Sequence, residues 1–226
     1  MNFVLVPGAG GQALYWHRVI PELQRVGHKG VPVELPAADA SCGLREYANK
    51  IIDSASSLGE VVLGAQSMAG FSAPMTCDHI PVRQLILVNA MIPRPGETPG
   101  DWWSNTRQPE AKRAKDLADG RDPDAPFDVQ TVFLHDLPAD VVATLMSHPE
   151  PVQSDTPFGQ PWPLSAWPDV PTRVIVARDD RLFPADFQRR VARERLGLEP
   201  YEIPGGHLVA LSQPAELARL FDAFVR

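Results

Sequence analysis

The sequence predicts an α/β fold, a mostly parallel six-stranded sheet covered by helices on both faces. Three observations carry that expectation. Short apolar or β-branched runs alternate with helical patterns through the first ninety residues. The runs are almost continuously apolar, as strands buried on both faces are. The same alternation resumes near residue 172, after a long proline-rich stretch of different character.

Taken in order, Asn2 to Val6 reads as the first strand, Tyr15 to Val26 as a helix and Gly30 to Leu35 as the second strand. Leu44 to Ser57 has a helical period, and Glu60 to Ala65 is the third strand. A helix from Met68 to about His79 and a strand from Gln84 to Asn89 follow. Between Met91 and Pro171 lie 14 of the 24 prolines and four of the five tryptophans. A bare loop of that length is uncommon in a compact domain, and this one has element signals of its own. Gln108 to Ala118 and Pro138 to Ser147 read as helices, and Phe127 to Leu134 alternates like a strand. Strand Thr172 to Ala177, helix Pro184 to Leu196, strand Pro200 to Ile203 and a closing helix from Gln213 to Phe224 complete the chain. The expected organisation is one domain, residues 1–226, with a cap inserted at residues 91–171.

Composition narrows the function. With 226 residues, 44% hydrophobic and 22% charged, the chain has the makeup of a soluble globular domain. A net charge of -7 disfavours nucleic acid or an anionic membrane as partner. The opening run Phe3-Val4-Leu5-Val6 is too short for a signal peptide or a membrane span, which predicts a cytoplasmic protein. Cys42 and Cys77 lack metal-ligand spacing and read as inert buried thiols, so neither metal nor other cofactor is expected. Gly8, Gly10 and Gly11 match no nucleotide fingerprint. A small-molecule partner remains, with a homodimer left open.

Chemistry concentrates at Ser67. The third strand runs out in Gly64-Ala65-Gln66-Ser67-Met68-Ala69-Gly70, small residues around a serine, as in a strand that turns sharply into a helix. Such a turn is strained, and only small neighbours two residues either side permit it; here these are Ala65 and Ala69 rather than glycines. A serine hydroxyl needs a histidine to take its proton and a carboxylate to support that histidine. Both belong at the ends of later strands, where sites of open α/β sheets form. Asp179 and Asp180 follow the fifth strand, and Gly205-Gly206-His207 follows the sixth. Of the other histidines, His17, His28 and His79 lie on or beside helices, His148 sits in a proline-flanked loop, and His135 could line a pocket.

In these features the sequence resembles the α/β-hydrolase superfamily, most of all the small methylesterase and hydroxynitrile lyase-like esterases and their bacterial relatives. The resemblance runs over essentially the whole chain. It implies a three-layer fold with strand order 2-1-3-4-5-6 and a site where that order reverses. A small residue, the acid and a proline four positions later are matched by Ala177, Asp180 and Pro184, which selects Asp180 over Asp179. The resemblance also implies His207 as base, with oxyanion donors at the backbone of Ala9 and Met68. Pro7 replaces a histidine of the family's first loop.

The substrate-binding candidates are Gly8, Trp102, Phe133, His135 and Leu208; Trp102, Trp103, Phe133 and Trp162 could equally form the core of the cap. The expected activity is hydrolysis of a small apolar carboxylic ester through an acyl-enzyme. A lyase using the same triad as base is the first alternative, and a non-catalytic small-molecule binder the second. Hydroxynitrile lyases of the family carry a lysine after the histidine and a threonine in the first loop. Here Leu208 and Gly8 occupy those places, which favours the esterase.

Overall fold

The computed structural model of the protein describes residues 1–226. Its strands are β1 (Asn2–Val6), β2 (Lys29–Pro32), β3 (Val61–Gln66), β4 (Val82–Val88), β5 (Thr172–Ala177) and β6 (Tyr201–Ile203). All neighbouring pairs are parallel, and the order across the sheet is β2-β1-β3-β4-β5-β6. The chain steps outward from β1 to β2, returns past β1 to β3 and then builds in the other direction. Loops leaving β1 and β3 therefore diverge and open a crevice at the carboxyl ends of the strands.

Helices α1 (Val19–Arg25), α2 (Leu44–Ala55) and α3 (Ala69–Ser72) belong to the first half. Four more, α4 (Pro99–Asn105), α5 (Gln108–Ala118), α6 (Val129–Val132) and α7 (Ala139–Met146), lie between β4 and β5, and α8 (Ala185–Leu196), α9 (Val209–Ser212) and α10 (Pro214–Val225) complete the chain. Side chains alternate along each strand, so each face of the sheet has its own core. Phe3, Leu5, Val62, Ile86, Val88 and Ile175 pack with Trp16, Leu23, Leu217 and Phe221 on one face. On the other, Val4, Val6, Leu63, Leu85, Leu87 and Val176 pack with Tyr47, Ile51, Phe71 and Val191. Each such side chain, fully buried, contributes about 1.5 to 3 kcal/mol. Helix α2 shows why these segments fold as they do: Leu44, Tyr47, Ala48, Ile51 and Ala55 recur at helical spacing and are buried. Its first turn is closed by Glu46, whose carboxylate accepts the Gly43 N–H at 2.8 Å.

Several sequence expectations need correction. Phe127 to Leu134 is not a strand: the Asp128 carboxylate accepts the Thr131 N–H at 2.8 Å and starts the single turn α6. The second strand ends at Pro32 rather than Leu35. The helix expected from Met68 to His79 is α3 followed by a 3₁₀ turn at Ala73–Thr76, as Pro74 lacks the donor an α-helix needs. Helix α4 was not anticipated; Thr98 caps it by accepting the Asp101 N–H at 2.9 Å, with Pro99 at its first position.

The segment between β4 and β5 reaches back over the loops that follow β1 and β2. Gln12 donates to the Pro149 carbonyl at 2.9 Å, and the Ser154 N–H donates to Ala37 at 2.8 Å. No helix of the chain is long and apolar enough to cross a membrane.

Candidate active site

Ser67 sits between β3 and α3 with φ of +51°, in the left-handed region that a residue with a Cβ enters only under strain. Backbone bonds hold it there. Its N–H donates to Val88 at 3.2 Å, and its carbonyl accepts from Gly70 at 3.1 Å and from Met91 at 2.9 Å. The tightest steric demand falls on Gly70, where an added Cβ would lie 1.7 Å from the Met91 carbonyl oxygen. Ala65 and Ala69 are buried and small enough for the turn.

Three sequence-predicted residues meet in one hydrogen-bonded chain. The Ser67 Oγ lies 3.1 Å from His207 Nε2, and His207 Nδ1 lies 2.8 Å from Asp180 Oδ2. All three are buried, Asp180 to 1% and His207 to 2% exposure. The Asp180 Oδ1 accepts the Leu182 and Phe183 N–H groups, both at 2.8 Å, while Gln188 donates to Oδ2 at 3.2 Å. A carboxylate fixed by that many donors presents one remaining direction to the imidazole. Asp179 instead accepts the Gly205 N–H at 3.0 Å, outside this chain.

Gly8 is pressed against the serine. Its N–H donates to Gln66 Oε1 at 2.9 Å, and an added Cβ would lie 2.8 Å from the Ser67 Cβ. Next to it Ala9 is exposed, and neither the Ala9 nor the Met68 N–H is donated to an acceptor within the chain. Phe133 packs on the imidazole with ring centroids 5.3 Å apart, and Phe183 meets it edge-on at 5.1 Å. Half-buried Leu208 packs toward the α1/α10 core.

Trp102 is not brought to the site. It is fully buried against Trp103, Phe183 and Phe187, with its indole N–H donated to Ile92 at 3.1 Å, and has no surface left for a ligand. The His135 Nε2 is buried beside Gly206, with no hydrogen-bond partner. Burial, and then the nearby Arg181, lower the pKa of His135.

Four positions escaped the sequence reading: Gln66, Asn89, Asp136 and Gln188. Asn89 donates to the Gly206 and His207 carbonyls at 3.2 and 3.1 Å, and Asp136 accepts the Gly206 N–H at 2.6 Å. A polar residue at the carboxyl end of an apolar strand was the available signal for Gln66 and Asn89. No group of three or more His, Cys, Asp or Glu side chains is arranged to hold a metal ion.

Serine, carboxylate and imidazole leave β3, β5 and β6 in that chain order and converge because the sheet reverses beside β3, which is the design of the α/β hydrolases. The family model described as "Alpha/beta hydrolase family" matches residues 3–220; the chain belongs to that family and is a hydrolase by class. A probable esterase, PIR7A of Oryza sativa subsp. indica, is 26% identical over 97% of this chain and 94% of its own length. An alpha-hydroxynitrile lyase of Arabidopsis thaliana is 25% identical over 98% of this chain and 95% of its own. The crystal structure of the methylesterase MES16 from Arabidopsis superposes with a TM-score of 0.77 at 19% identity, covering 100% of this chain and 98% of that one, and shows the shared fold.

Proposed function

We propose that the protein is a carboxylesterase acting on a small apolar ester through Ser67, His207 and Asp180. The observation that carries this reading is the continuous hydrogen-bonded chain from Ser67 Oγ through both nitrogens of His207 to Asp180. His207 takes the Ser67 proton as Oγ attacks the ester carbonyl, and Asp180 supports the imidazolium. The tetrahedral oxyanion is held by the Ala9 and Met68 N–H groups, each worth about 3 to 4 kcal/mol in the transition state. His207 passes its proton to the leaving alkoxide, which departs as alcohol and leaves Ser67 acylated. Water then gives a proton to His207 and attacks the acyl carbon; Ser67 recovers its proton as the acid leaves. Residues 91–171 serve as a cap, with Phe133 forming one wall beside His207.

The esterase and methylesterase names among the relatives favour ester hydrolysis. A lyase reaction is disfavoured because Leu208 supplies no cation beside His207 for an anionic leaving group. Short p-nitrophenyl esters and a fluorophosphonate probe test the reading. Turnover that Ser67→Ala abolishes, with the adduct mapped to Ser67, supports it. A folded protein with neither turnover nor adduct overturns it.

A further inference from the structure

The loop carrying His207 is suspended by side chains from three parts of the chain. Gly205, at φ +110°, donates its N–H to Asp179 Oδ2 at 3.0 Å, and its carbonyl accepts the Asp179 N–H at 2.9 Å. Asn89 donates to the Gly206 and His207 carbonyls. The Gly206 N–H goes to Asp136 Oδ2 at 2.6 Å. Asp179 and Asn89 stand at the ends of sheet strands, whereas Asp136 comes from the segment between β4 and β5.

We propose that Asp136 is a positioning residue for His207, tying the inserted segment to the seat of the imidazole. The proposal rests on the triad reading above. Three features separate Asp136 from an ordinary surface acid. Its bond is charge-assisted and is made to the residue before His207, so its loss reaches the imidazole through Gly206 alone. The fit is close: a Cβ on Gly206 would come within 2.8 Å of both Asp136 Oδ1 and His135 Nε2. The grip is also double, since Phe133 of the same segment packs on the imidazole ring with centroids 5.3 Å apart. The His207 ring and the backbone one residue before it are thus held from one short stretch, Phe133 to Asp136. A shift of that stretch moves the imidazole relative to Ser67, and reactivity falls steeply with misplacement.

The test compares Asp136→Ala and Asp136→Asn with wild type, using p-nitrophenyl acetate kinetics and the downfield proton resonance of the His207 Nδ1–H···Asp180 bond. Asp136→Ala is expected to lower kcat about tenfold or more, with KM within about twofold, and to broaden or shift the resonance. Asp136→Asn keeps an acceptor oxygen and is expected to retain roughly a third of kcat with the resonance restored. An Asp136→Ala protein with wild-type kcat and resonance, or one altered in KM alone, overturns the proposal. If Asp136→Ala does not fold, Asp136→Asn decides: a lowered kcat at constant KM supports the role, and unchanged kinetics and resonance overturn it. A wild-type protein that shows the resonance but hydrolyses no ester defeats only the esterase reading. The resonance in the variants then decides the positioning role by itself.

Discussion

Asn89 donates its side-chain amide to the carbonyl oxygen of His207 at 3.1 Å, from a backbone held at φ +46°. The same fully buried side chain donates to Gly206 at 3.2 Å and accepts the Ala177 N–H at 2.8 Å. One amide therefore joins the ends of β4 and β5 to the histidine loop. Asparagine tolerates the left-handed region better than most residues, so one residue meets both demands. Asn89→Ala leaves buried backbone groups without partners, each costing about 1 to 3 kcal/mol. The variant is expected to lose about 3 kcal/mol in urea unfolding and to lower kcat. Asn89→Gly relieves only the backbone and should recover about 1 kcal/mol of that loss. An alanine variant as stable as wild type would remove Asn89 from this role.

The elbow makes a second, sharper demand at Gly70. An added Cβ would sit 1.7 Å from the Met91 carbonyl oxygen, and that oxygen belongs to backbone that cannot swing aside. Met91 itself is tied to the turn, its N–H donating to the Ser67 carbonyl at 2.9 Å. Gly70→Ala must push α3 away from the chain leaving β4, tilting Ser67 with it. We expect a loss of about 3 kcal/mol or more, with activity falling in whatever fraction remains folded. Ala69→Gly introduces no clash and should cost about 1 kcal/mol. Thermal melts of the two variants check the contrast, and similar melting temperatures would contradict it.

Strands and supporting side chains differ in how far the sequence reveals them. The strands were legible because burial on both faces leaves an apolar run, as in Val61 to Leu63 and Leu85 to Val88. Ser67, His207 and the pair Asp179 and Asp180 stood out as chemistry-bearing residues at strand ends, and the family resemblance alone preferred one aspartate to the other. Phe127 to Leu134 misled, because so short a run fits alternation and a helical turn alike, and the Asp128 cap decides between them. The supporting residues were hidden for another reason. Gln66 reaches a partner 58 positions away, Asp136 one 70 away and Asn89 one 118 away, and nothing local in the sequence records such pairings. Trp102 carried the composition expected of a pocket wall, yet its neighbours enclose it.

Gln153 braces the other side of the site. Its Oε1 accepts the Gly10 N–H at 3.0 Å, and its Nε2 donates to the Tyr47 hydroxyl at 3.0 Å. Gly10 has no room for a side chain, since an added Cβ would lie 2.5 Å from the Pro151 Cβ. The brace fixes the loop that presents the Ala9 N–H, the proposed oxyanion donor. Gln153→Ala should therefore slow acylation about fivefold or more, while KM and the melting temperature change little. Single-turnover kinetics with a p-nitrophenyl ester measure that step directly. A change confined to KM would assign Gln153 to substrate binding instead.

Acid stability should depend on Asp116, which ties α5 to the turn after it. Its carboxylate accepts from Lys112 Nζ at 2.6 Å and from Arg121 Nε at 2.8 Å. Burial pushes the pKa up, but the two cationic partners outweigh it and hold the carboxyl below the usual aspartate range. The sign follows from linkage. A carboxylate depressed in the folded state stabilises it fully above the unfolded pKa, and that stabilisation disappears as pH falls through the folded one. With Lys112 partly exposed and screened, the contribution is about 1 to 2 kcal/mol. Wild type should thus exceed Asp116→Asn by that amount in urea unfolding at about pH 6 to 7, and the gap should close as pH falls below the ordinary aspartate range. A gap that stayed constant into acid would mean that the Asp116 charge contributes nothing, and that packing alone distinguishes the variant.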